Sequence, residues 1–323
     1  MKSKLLILGI MVINIAFGQI DEHYNSLKNE AWSLYESKDY KQSAAIYKRA
    51  FDVLEGKAMP TDRYNAACSY ALSENIDTAF YHLYRLANDS KYKNIKHLTT
   101  DKDLNELHKD KRWPKLITIV EANIVEAEKD YDMDLKALLD TVYETDQRFR
   151  RLLSSTEKDF GRDSQEMNDL WDTIITIDSI NQEMVCNIID QRGWLGQNIV
   201  GINGNKALFL VVQHADLDIQ LKYLPIMREA VEKGNARGSS FALLQDRVAL
   251  RQGKRQIYGS QIGRDEEGNF FVSPMIDPEN VNKRRADVGL GSIESYVKHW
   301  DMTWDIEQHK AKTIEIEALL KEE

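Results

Sequence analysis

Two residue types that restrict or cross-link a chain are scarce in this sequence. Its 323 residues include 5 prolines and 2 cysteines, Cys68 and Cys186. Proline breaks helices, so its scarcity among long amphipathic runs favours a helical protein. Neither cysteine lies in a Cys-x-x-Cys or histidine-rich stretch, which excludes a zinc site of the usual spacing. We expect two free thiols, each on the apolar side of a helix.

An excess of positive charge is also absent. The formal net charge is −9 at pH 7, with 52 acidic residues against 43 lysines and arginines. Nucleic acids and anionic membrane surfaces select basic proteins, so we expect neither as a partner. Hydrophobic residues make up 42% and charged residues 29% of the chain, as in soluble globular proteins.

Long apolar runs are missing beyond the first few residues. Residues 5–17 are apolar except for Asn14, two lysines precede them, and the small residues Ala16 and Gly18 follow the pattern of a cleavage site. This arrangement predicts a signal peptide at residues 1–18. We therefore expect an exported protein, periplasmic or extracellular, with no transmembrane segment after cleavage.

Small and aromatic residues recur between residues 21 and 125 in a pattern typical of paired helices. The two clearest stretches are Asp39-Tyr40-x-x-Ser43 and Asp77-x-Ala79-Phe80, each a turn that leads into a helix. They resemble the tetratricopeptide repeat, although Ala31 and Ala67 stand where that repeat usually has glycine. The resemblance implies a surface for a protein or peptide partner; a structural spacer is the alternative.

The stretch that follows, from Asp101 to Trp113, carries the apolar residues Leu104 and Leu107. It resembles segments that close short repeat arrays, which need a cap because no single repeat can bury its own apolar face. Charged residues then dominate positions 121–134 and predict a linker. We place the domain boundary near residue 130, before a second unit at 131–323.

The second unit is predicted to be mainly α, with one small β-hairpin. We expect two long helices, a third at about 206–215, and a fourth with Pro225 in its first turn. Ser239 or Ser240 would cap the next helix. Alternation around a Gly268 turn predicts the hairpin at 256–273, with Tyr258 and Gln261 on its first strand. A last long helix would run from Ser292 to Leu320.

Polar residues interrupt the apolar stripes of three predicted helices. Asp146 lies in the first, Asp178 and Asn181 in the second, and His214 in the third. Because a buried carboxylate is costly unless it is paired, these side chains should find one another or a basic residue. The candidate partners are Arg247, Arg284 and Arg285. The structural alternatives are a core or capping histidine for His214 and a helix cap or interhelical ion pair for Asp146.

The same residues belong to a series of motifs that resembles an uncharacterised bacterial domain family over residues 140–300. The motifs are Asp146-Gln147-x-x-Arg150, Gly193-Trp194, Gln213-His214-Ala215-Asp216, Asp246-Arg247, Tyr258-Gly259-Ser260-Gln261 and Arg284-Arg285-x-x-Val288-Gly289-Leu290. Leu195 departs from the family's usual proline. The resemblance implies no activity, only that these residues belong together.

Two functional hypotheses follow. The first is an exported binding protein whose repeats dock a partner and whose second domain holds an unknown small ligand. Its ligand-binding candidates are Asp146, Asn181, Gln213, Arg247, Tyr258, Gln261, Arg284 and Arg285. The second is a hydrolytic enzyme in which His214 acts as general base or acid, Asp178 or Asp216 orients it, and Arg247 or Arg285 holds an anionic group.

Motifs of established catalytic classes are missing: there is no Gly-x-Ser-x-Gly elbow, His-Glu-x-x-His, phosphate loop or dinucleotide fingerprint. Ser260 could serve as a nucleophile, although a hairpin serine is more often structural. A third hypothesis places a divalent metal on Asp146, Asp178 and His214, whose ligand types suit Mn or Mg better than Zn. We favour a site without metal or cofactor.

Overall fold

The computed structural model describes residues 22–265 and 267–319, so the predicted signal peptide lies outside the described residues. The chain divides into two compact units between Lys129 and Asp130. Within the described residues the protein is mainly α-helical with a single two-stranded sheet, which confirms the predicted fold class. None of the described helices has both the length and the apolar character needed to cross a membrane.

The first unit is built from helices joined by short turns. Its helices are 22–36 (α1), Tyr40–Val53 (α2), Pro60–Leu72 (α3), Ile76–Asp89 (α4), Ile95–Thr100 (α5) and Trp113–Glu128 (α6), with a 3₁₀-helix at Lys102–Lys109. Helix α3 packs against both α2 and α4. Asp39 and Asn75 start α2 and α4, because the side chain of each accepts a hydrogen bond from a free N–H of the first helical turn.

Small residues let these helices approach closely. Ala31 and Ala67 are fully buried, and the hydroxyl of Ser43 donates to the Ala31 carbonyl at 2.8 Å. The segment after α5 closes the stack: Leu104 and Leu107 are fully buried in the same core. A hydrogen bond also attaches this segment to α3, because Asp101 accepts one from the hydroxyl of Tyr64 at 2.8 Å.

The second unit contains the remaining elements. Its helices are Met133–Arg150 (α7), Leu153–Phe160 (α8), Gln165–Arg192 (α9), Gln197–His214 (α10), Leu217–Glu232 (α11), Gly238–Arg251 (α12), Val281–Asp287 (α13), Ile293–Val297 (α14) and Ile306–Leu319 (α15). Short 3₁₀-helices cover Pro278–Asn280 and Lys298–Trp300. The strands Ile262–Arg264 (β1) and Phe270–Val272 (β2) pair antiparallel, with Gly263 opposite Phe271.

Helices α7, α9 and α10 form the part of this unit that carries the polar residues. Arg192 of α9 bonds Asp132 before α7, and Thr145 near the end of α7 bonds Asn181, so α7 and α9 run antiparallel. The backbone N–H of Asp132 bonds Ile199, whereas the end of α7 reaches the end of α10, so these two helices run parallel. The last turns of α7 and α10 therefore meet the middle of α9.

The helix predicted at about 206–215 is the later part of α10, which begins at Gln197 and is kinked at Gly201 (φ 71°). Glycines lower the helical propensity of this stretch. Gly204 nevertheless suits this position, because a Cβ atom there would lie 2.9 Å from Cβ of Val200 and 3.3 Å from Cβ of Leu139 on α7. Close packing of two helices outweighs the local propensity at this position.

Three predictions about elements were wrong. Pro225 lies inside α11 rather than in its first turn. The helix continues past the proline because Tyr223 and Met227, on either side of it, are buried in the core. Helix α12 begins at Gly238, with no side-chain cap from either serine. Ser292 does cap a helix, but that helix ends at Val297, and the chain turns at Asp301 (φ 54°) before α15 begins.

The hairpin prediction was right in kind but too long. Each strand has three residues, and the stretch before β1 forms a loop that carries both Tyr258 and Gln261. The physical reason is Asp246, whose carboxylate accepts the backbone N–H groups that a strand would offer to a neighbouring strand.

Both cysteines are free thiols, with Cys68 buried and Cys186 half-buried. Burial, with the negative charges of Asp101 and Asp103, raises the pKa of the Cys68 thiol. A buried thiol that resists ionisation is a poor nucleophile. Cys68 therefore serves the packing of α3.

Candidate functional site

Asp146, in the last turns of α7, is the centre of a buried polar cluster. Only 1% of its surface is exposed. Its Oδ1 lies 3.0 Å from Nδ1 of His214, and its Oδ2 accepts a hydrogen bond of 2.7 Å from the amide of Gln147. We use the name polar cluster for Asp146, Arg150, Asp178, Asn181 and His214.

Arg150 links two carboxylates of this cluster. Its Nη2 donates to Asp178 at 2.6 Å, and its Nη1 donates to the Asp146 carbonyl at 2.9 Å and lies 3.5 Å from Oδ1 of Asp146. The spacing of Asp146 and Arg150, four residues apart on α7, brings them to one face of the helix. That spacing is visible in the sequence, so Arg150 could have been included among the predicted site residues.

The environment keeps Asp146 ionised. Burial acts to raise the pKa of its carboxyl, but the hydrogen bond from His214 and the charge of that residue outweigh burial and hold the pKa below its usual value. An ionised carboxylate can only accept hydrogen bonds, so the Nδ1 atom of His214 carries the proton of this contact. Nε2 is then the nitrogen left for a ligand. The His214 side chain is 18% exposed.

Several polar atoms in and beside the cluster are buried but lack a hydrogen-bond partner within the described ranges. They are Oδ1 of Asp178, Nδ2 of Asn181, Oε1 of Gln213 and Oε1 of Gln220. Buried polar atoms in proteins are nearly always paired, with protein or with ordered water. Their presence around His214 marks a place where water or a polar ligand would be bound.

Arg247 approaches the end of α10 from α12. Its Nη1 donates to the carbonyl of Gln213 at 3.0 Å and its Nε to Oε1 of Gln261 at 3.1 Å, and both acceptors are neutral. Burial lowers the pKa of this guanidinium, and the positive charges of Arg251 and Arg150 lower it further. Arg247 is thus a half-buried cation whose strongest electrostatic neighbours are other cations.

Asp246, the residue before Arg247, faces a different set of partners. It is fully buried and accepts hydrogen bonds from the backbone N–H groups of Ile257, Tyr258 and Ser260 at 2.7 to 3.0 Å. Burial raises the pKa of its carboxyl, while these N–H groups oppose the rise. The carboxylate therefore fixes the shape of the loop at residues 257–260.

Two arginines hold the same loop from α13. Nη1 of Arg285 donates to the carbonyl of Tyr258 at 2.8 Å, and Nε of Arg284 donates to that of Ile257 at 2.9 Å. Only 1% of Arg285 is exposed. We call Asp246, residues 257–260, Arg284 and Arg285 the loop clamp. These motif residues support the backbone of the loop, and Gln261 connects it to Arg247.

Neither Asp178 nor Asp216 hydrogen-bonds His214, although a carboxylate oxygen of Asp178 lies within 4.8 Å of a ring nitrogen of that residue. Asp216 lies exposed at the start of α11 with no side-chain capping bond, and the carboxylate in contact with His214 is that of Asp146. Asp178 bonds Arg150 instead. Ser260 is buried in the loop clamp, where its hydroxyl accepts a hydrogen bond from Gln261, which suits a structural role.

The geometry also bears on a metal site. Ligand atoms of Asp146, Asp178 and His214 all lie within 4.8 Å of one another. Two carboxylates and one imidazole suit Mn or Mg. However, the guanidinium of Arg150 already bonds to both carboxylates, so a cation would compete with it.

A cleft of about 280 Å³ adjoins the cluster along α7 and α10, lined among others by Tyr143, Gln147, Trp194 and Phe209. Gln147 connects the cleft to the cluster, because it lines the cleft and its side-chain amide donates to Asp146. The indole N–H of Trp194 is buried without a partner among the residues described. Gln147 and Trp194 belong to the sequence motifs, which assigned them no role. Only the folded structure shows that both residues line this cleft.

The sequence profile of a family of unknown function (DUF6624) matches residues 133–308. Comparison with curated proteins and with solved structures gives no significant match. The matched range runs from the start of α7 into the first turn of α15, so it includes the polar cluster, Arg247 and the loop clamp. Because the match covers more than half of the chain, this protein belongs to the DUF6624 family.

Proposed function

We propose that the second unit binds a small anionic molecule beside the polar cluster. Arg247 would take the anionic group, and His214 and Asp178 would bond the ligand's polar groups. The observation that carries this proposal is the position of Arg247, a half-buried cation with neutral hydrogen-bond acceptors and cationic neighbours. An anion would relieve that repulsion and offer charge-assisted hydrogen bonds.

The unpaired atoms support a ligand with further polar groups. Oδ1 of Asp178 and Oε1 of Gln213 are acceptors, whereas Nδ2 of Asn181 is a donor. A ligand with hydroxyl or amide groups would satisfy both kinds. Each buried group left unpaired costs about 1–3 kcal/mol, so a ligand that pairs several of them gains affinity and specificity.

The rest of the chain fits a protein that acts outside the cytoplasm. We propose that residues 1–18 direct export to the periplasm or exterior, and that the helix pairs of residues 21–125 act as tetratricopeptide-like repeats that dock a protein or peptide. The buried alanines and the Ser43 contact between helices support the repeat interpretation. A pull-down from envelope extract with and without residues 21–125 tests the docking role.

A hydrolytic enzyme is the second candidate, and the Asp146–His214 contact is the observation that favours it. A buried carboxylate that orients an imidazole is the arrangement used for general acid–base catalysis. In this version Asp146 orients His214, and Arg247 holds an anionic part of the substrate. Loss of a general base typically lowers the rate by about 10²–10⁴-fold, so His214→Gln tests any activity found in an ester, amide and phosphoester screen.

The binding proposal is tested by thermal shift of the full chain against a panel of small anions, including phosphate, pyrophosphate and citrate. Arg247→Gln should abolish the stabilisation by any anion that raises the melting temperature. Lys254→Gln is the control, because Lys254 is exposed just beyond α12 and donates to Gln252 rather than to the end of α10. Equal loss in both variants would show that a general loss of positive charge, not an anion site at Arg247, is responsible.

A further inference from the structure

A cavity of about 600 Å³ lies between the β-hairpin and α15, and none of its lining residues belongs to the polar cluster. Its volume is in the range of small-molecule sites in proteins. Apolar side chains form much of its wall, namely those of Phe271, Val272, Val297, Met302 and Trp304. Val272 and Val297 are buried core residues, so this part of the cavity is fixed by the fold.

The aromatic wall depends on a glycine. Gly263 on β1 pairs with Phe271 on β2, and a Cβ atom at Gly263 would lie 2.4 Å from the Phe271 ring. The ring can therefore lie across β1 only because residue 263 has no side chain. On the other side, the ring of Trp304 is 5.1 Å from that of His309 on α15. With Phe270, the cavity thus presents three aromatic rings and one imidazole.

His309 supplies an unsatisfied polar atom at this cavity. It is 6% exposed, and its Nε2 is buried with no partner in the part of the chain that the structure describes. Burial and the charge of Arg255 lower the pKa of His309, while a hydrogen bond to the Val272 carbonyl acts in the opposite direction. The lowered pKa favours the neutral imidazole, which has one N–H group and one acceptor nitrogen, and Nε2 is the acceptor when Nδ1 donates to the Val272 carbonyl.

We propose that this cavity binds a small aromatic molecule that carries a hydrogen-bond donor, and that Nε2 of His309 accepts that hydrogen bond. The aromatic walls favour a flat ring, since aromatic pairs are attracted beyond the burial of their area. The buried acceptor favours a ligand with an N–H or O–H group, because an acceptor left unpaired in the interior is costly. The site is separate from the proposed anion site.

The experiment is calorimetric titration of the full chain with indole and with 1-methylindole, which differ in the N–H donor. Indole should bind roughly five- to tenfold more tightly, the ratio that one net hydrogen bond gives. His309→Phe keeps a ring at this position and removes the acceptor, so it should bind both compounds equally. Persistence of the preference in His309→Phe would overturn the role of Nε2.

A second pair of variants tests the cavity itself. Ala311 lines the cavity and is exposed, so Ala311→Trp should fill the cavity and abolish binding without disturbing the core. Ala318→Trp is the control, an equal enlargement at an exposed position of the same helix that does not line the cavity. Binding of indole by Ala311→Trp as tightly as by the wild type would overturn the proposal. Failure of both compounds to bind the wild type would do the same.

Discussion

Nδ1 of His214 lies 3.0 Å from Oδ1 of Asp146, across two parallel helices and 68 residues apart in sequence. The contact fixes the imidazole, because Gln147 donates to the Asp146 carboxylate and Arg150 donates to the carbonyl of the same residue and lies 3.5 Å from its Oδ1. It also directs the remaining ring nitrogen away from Asp146. Both functional hypotheses need this arrangement: a binding site needs a fixed donor or acceptor, and a catalyst needs an oriented base.

The first prediction concerns the energetics of this contact. Asp146→Ala should lower the free energy of unfolding by about 3–5 kcal/mol, because Arg150 and His214 both lose an acceptor in the interior. Glu144→Gln is the control, since Glu144 lies exposed on the same helix and forms only a surface ion pair with Arg151. Its effect should stay within about 0.5 kcal/mol. Urea unfolding measures both, and equal effects would contradict the central role of Asp146.

A second prediction separates a structural histidine from a functional one. If His214 serves mainly to pair Asp146, His214→Gln should cost roughly 1–3 kcal/mol, which lowers the melting temperature by about 2–4 °C per kcal/mol in a unit of this size. A residue kept for a ligand should lower the melting temperature less. Because His214 donates to the buried Asp146 carboxylate, some loss is expected in either case, and our proposal requires a loss smaller than about 1 kcal/mol. A clear drop in the thermal melt of the full chain would favour a core role.

The third prediction concerns metal binding. In the wild type, Arg150 bonds to both Asp146 and Asp178, and its charge opposes a divalent cation there. We expect Mn²⁺ to leave the wild-type melting temperature unchanged. It should raise the melting temperature of Arg150→Gln, because the ligand atoms of Asp146, Asp178 and His214 lie close together and no guanidinium then competes with the metal. Arg151→Gln, on the neighbouring exposed arginine, is the control. Stabilisation of the wild type by Mn²⁺, reversed by a chelator, would show that the metal displaces Arg150.

The polar cluster shows what could be predicted from the sequence. Asp146, Asp178, Asn181 and His214 each interrupt an apolar stripe, and the helical period alone places them in the interior. The structure brings these four together. Which carboxylate contacts His214 could not be predicted, because it depends on the parallel packing of α7 on α10, and that packing relies on the close approach at Gly204.

The loop clamp shows why the rest could not be predicted. Alternation at residues 256–262 is typical of a strand, yet Asp246 withdraws three backbone N–H groups from strand pairing. A side chain distant in sequence here competes with a neighbouring strand for the same backbone N–H groups, and the local sequence pattern does not reveal that competition. For the same reason Arg284 and Arg285 looked like ligand-binding residues, whereas their guanidinium groups hold loop carbonyls.

The fourth prediction follows from His82 in the first unit. This residue is 5% exposed and stacks on Tyr70. Burial, with the charges of Arg63 and Arg85, lowers the pKa of His82 to about 4 from its usual 6.5. The unfolded chain therefore binds more protons than the folded one between these values, so stability is full above pH 6.5 and falls as the pH drops toward 4. The loss should be roughly 3 kcal/mol.

Amide hydrogen exchange of α3 and α4, measured over this pH range, reports the effect separately from the second unit. His82→Phe keeps the aromatic stacking but cannot titrate, so its stability should vary less with pH, although Arg63 loses an acceptor 3.3 Å away. His97→Gln, at an exposed position, is the control and should retain the wild-type slope. An unchanged slope in His82→Phe would assign the pH dependence to other groups.

The last prediction tests the loop clamp through Arg285. Its guanidinium donates to the carbonyls of Tyr258 and Gly291 and lies 4.7 Å from the ring of Tyr296. Lysine has the same charge but cannot bond both carbonyls from one planar group, so Arg285→Lys should still destabilise the unit by about 2–4 kcal/mol. Lys283→Gln, exposed on the same helix, should change stability by less than about 0.5 kcal/mol. Faster hydrogen exchange at residues 257–260 in Arg285→Lys alone would confirm that the guanidinium geometry, rather than its charge, holds the loop.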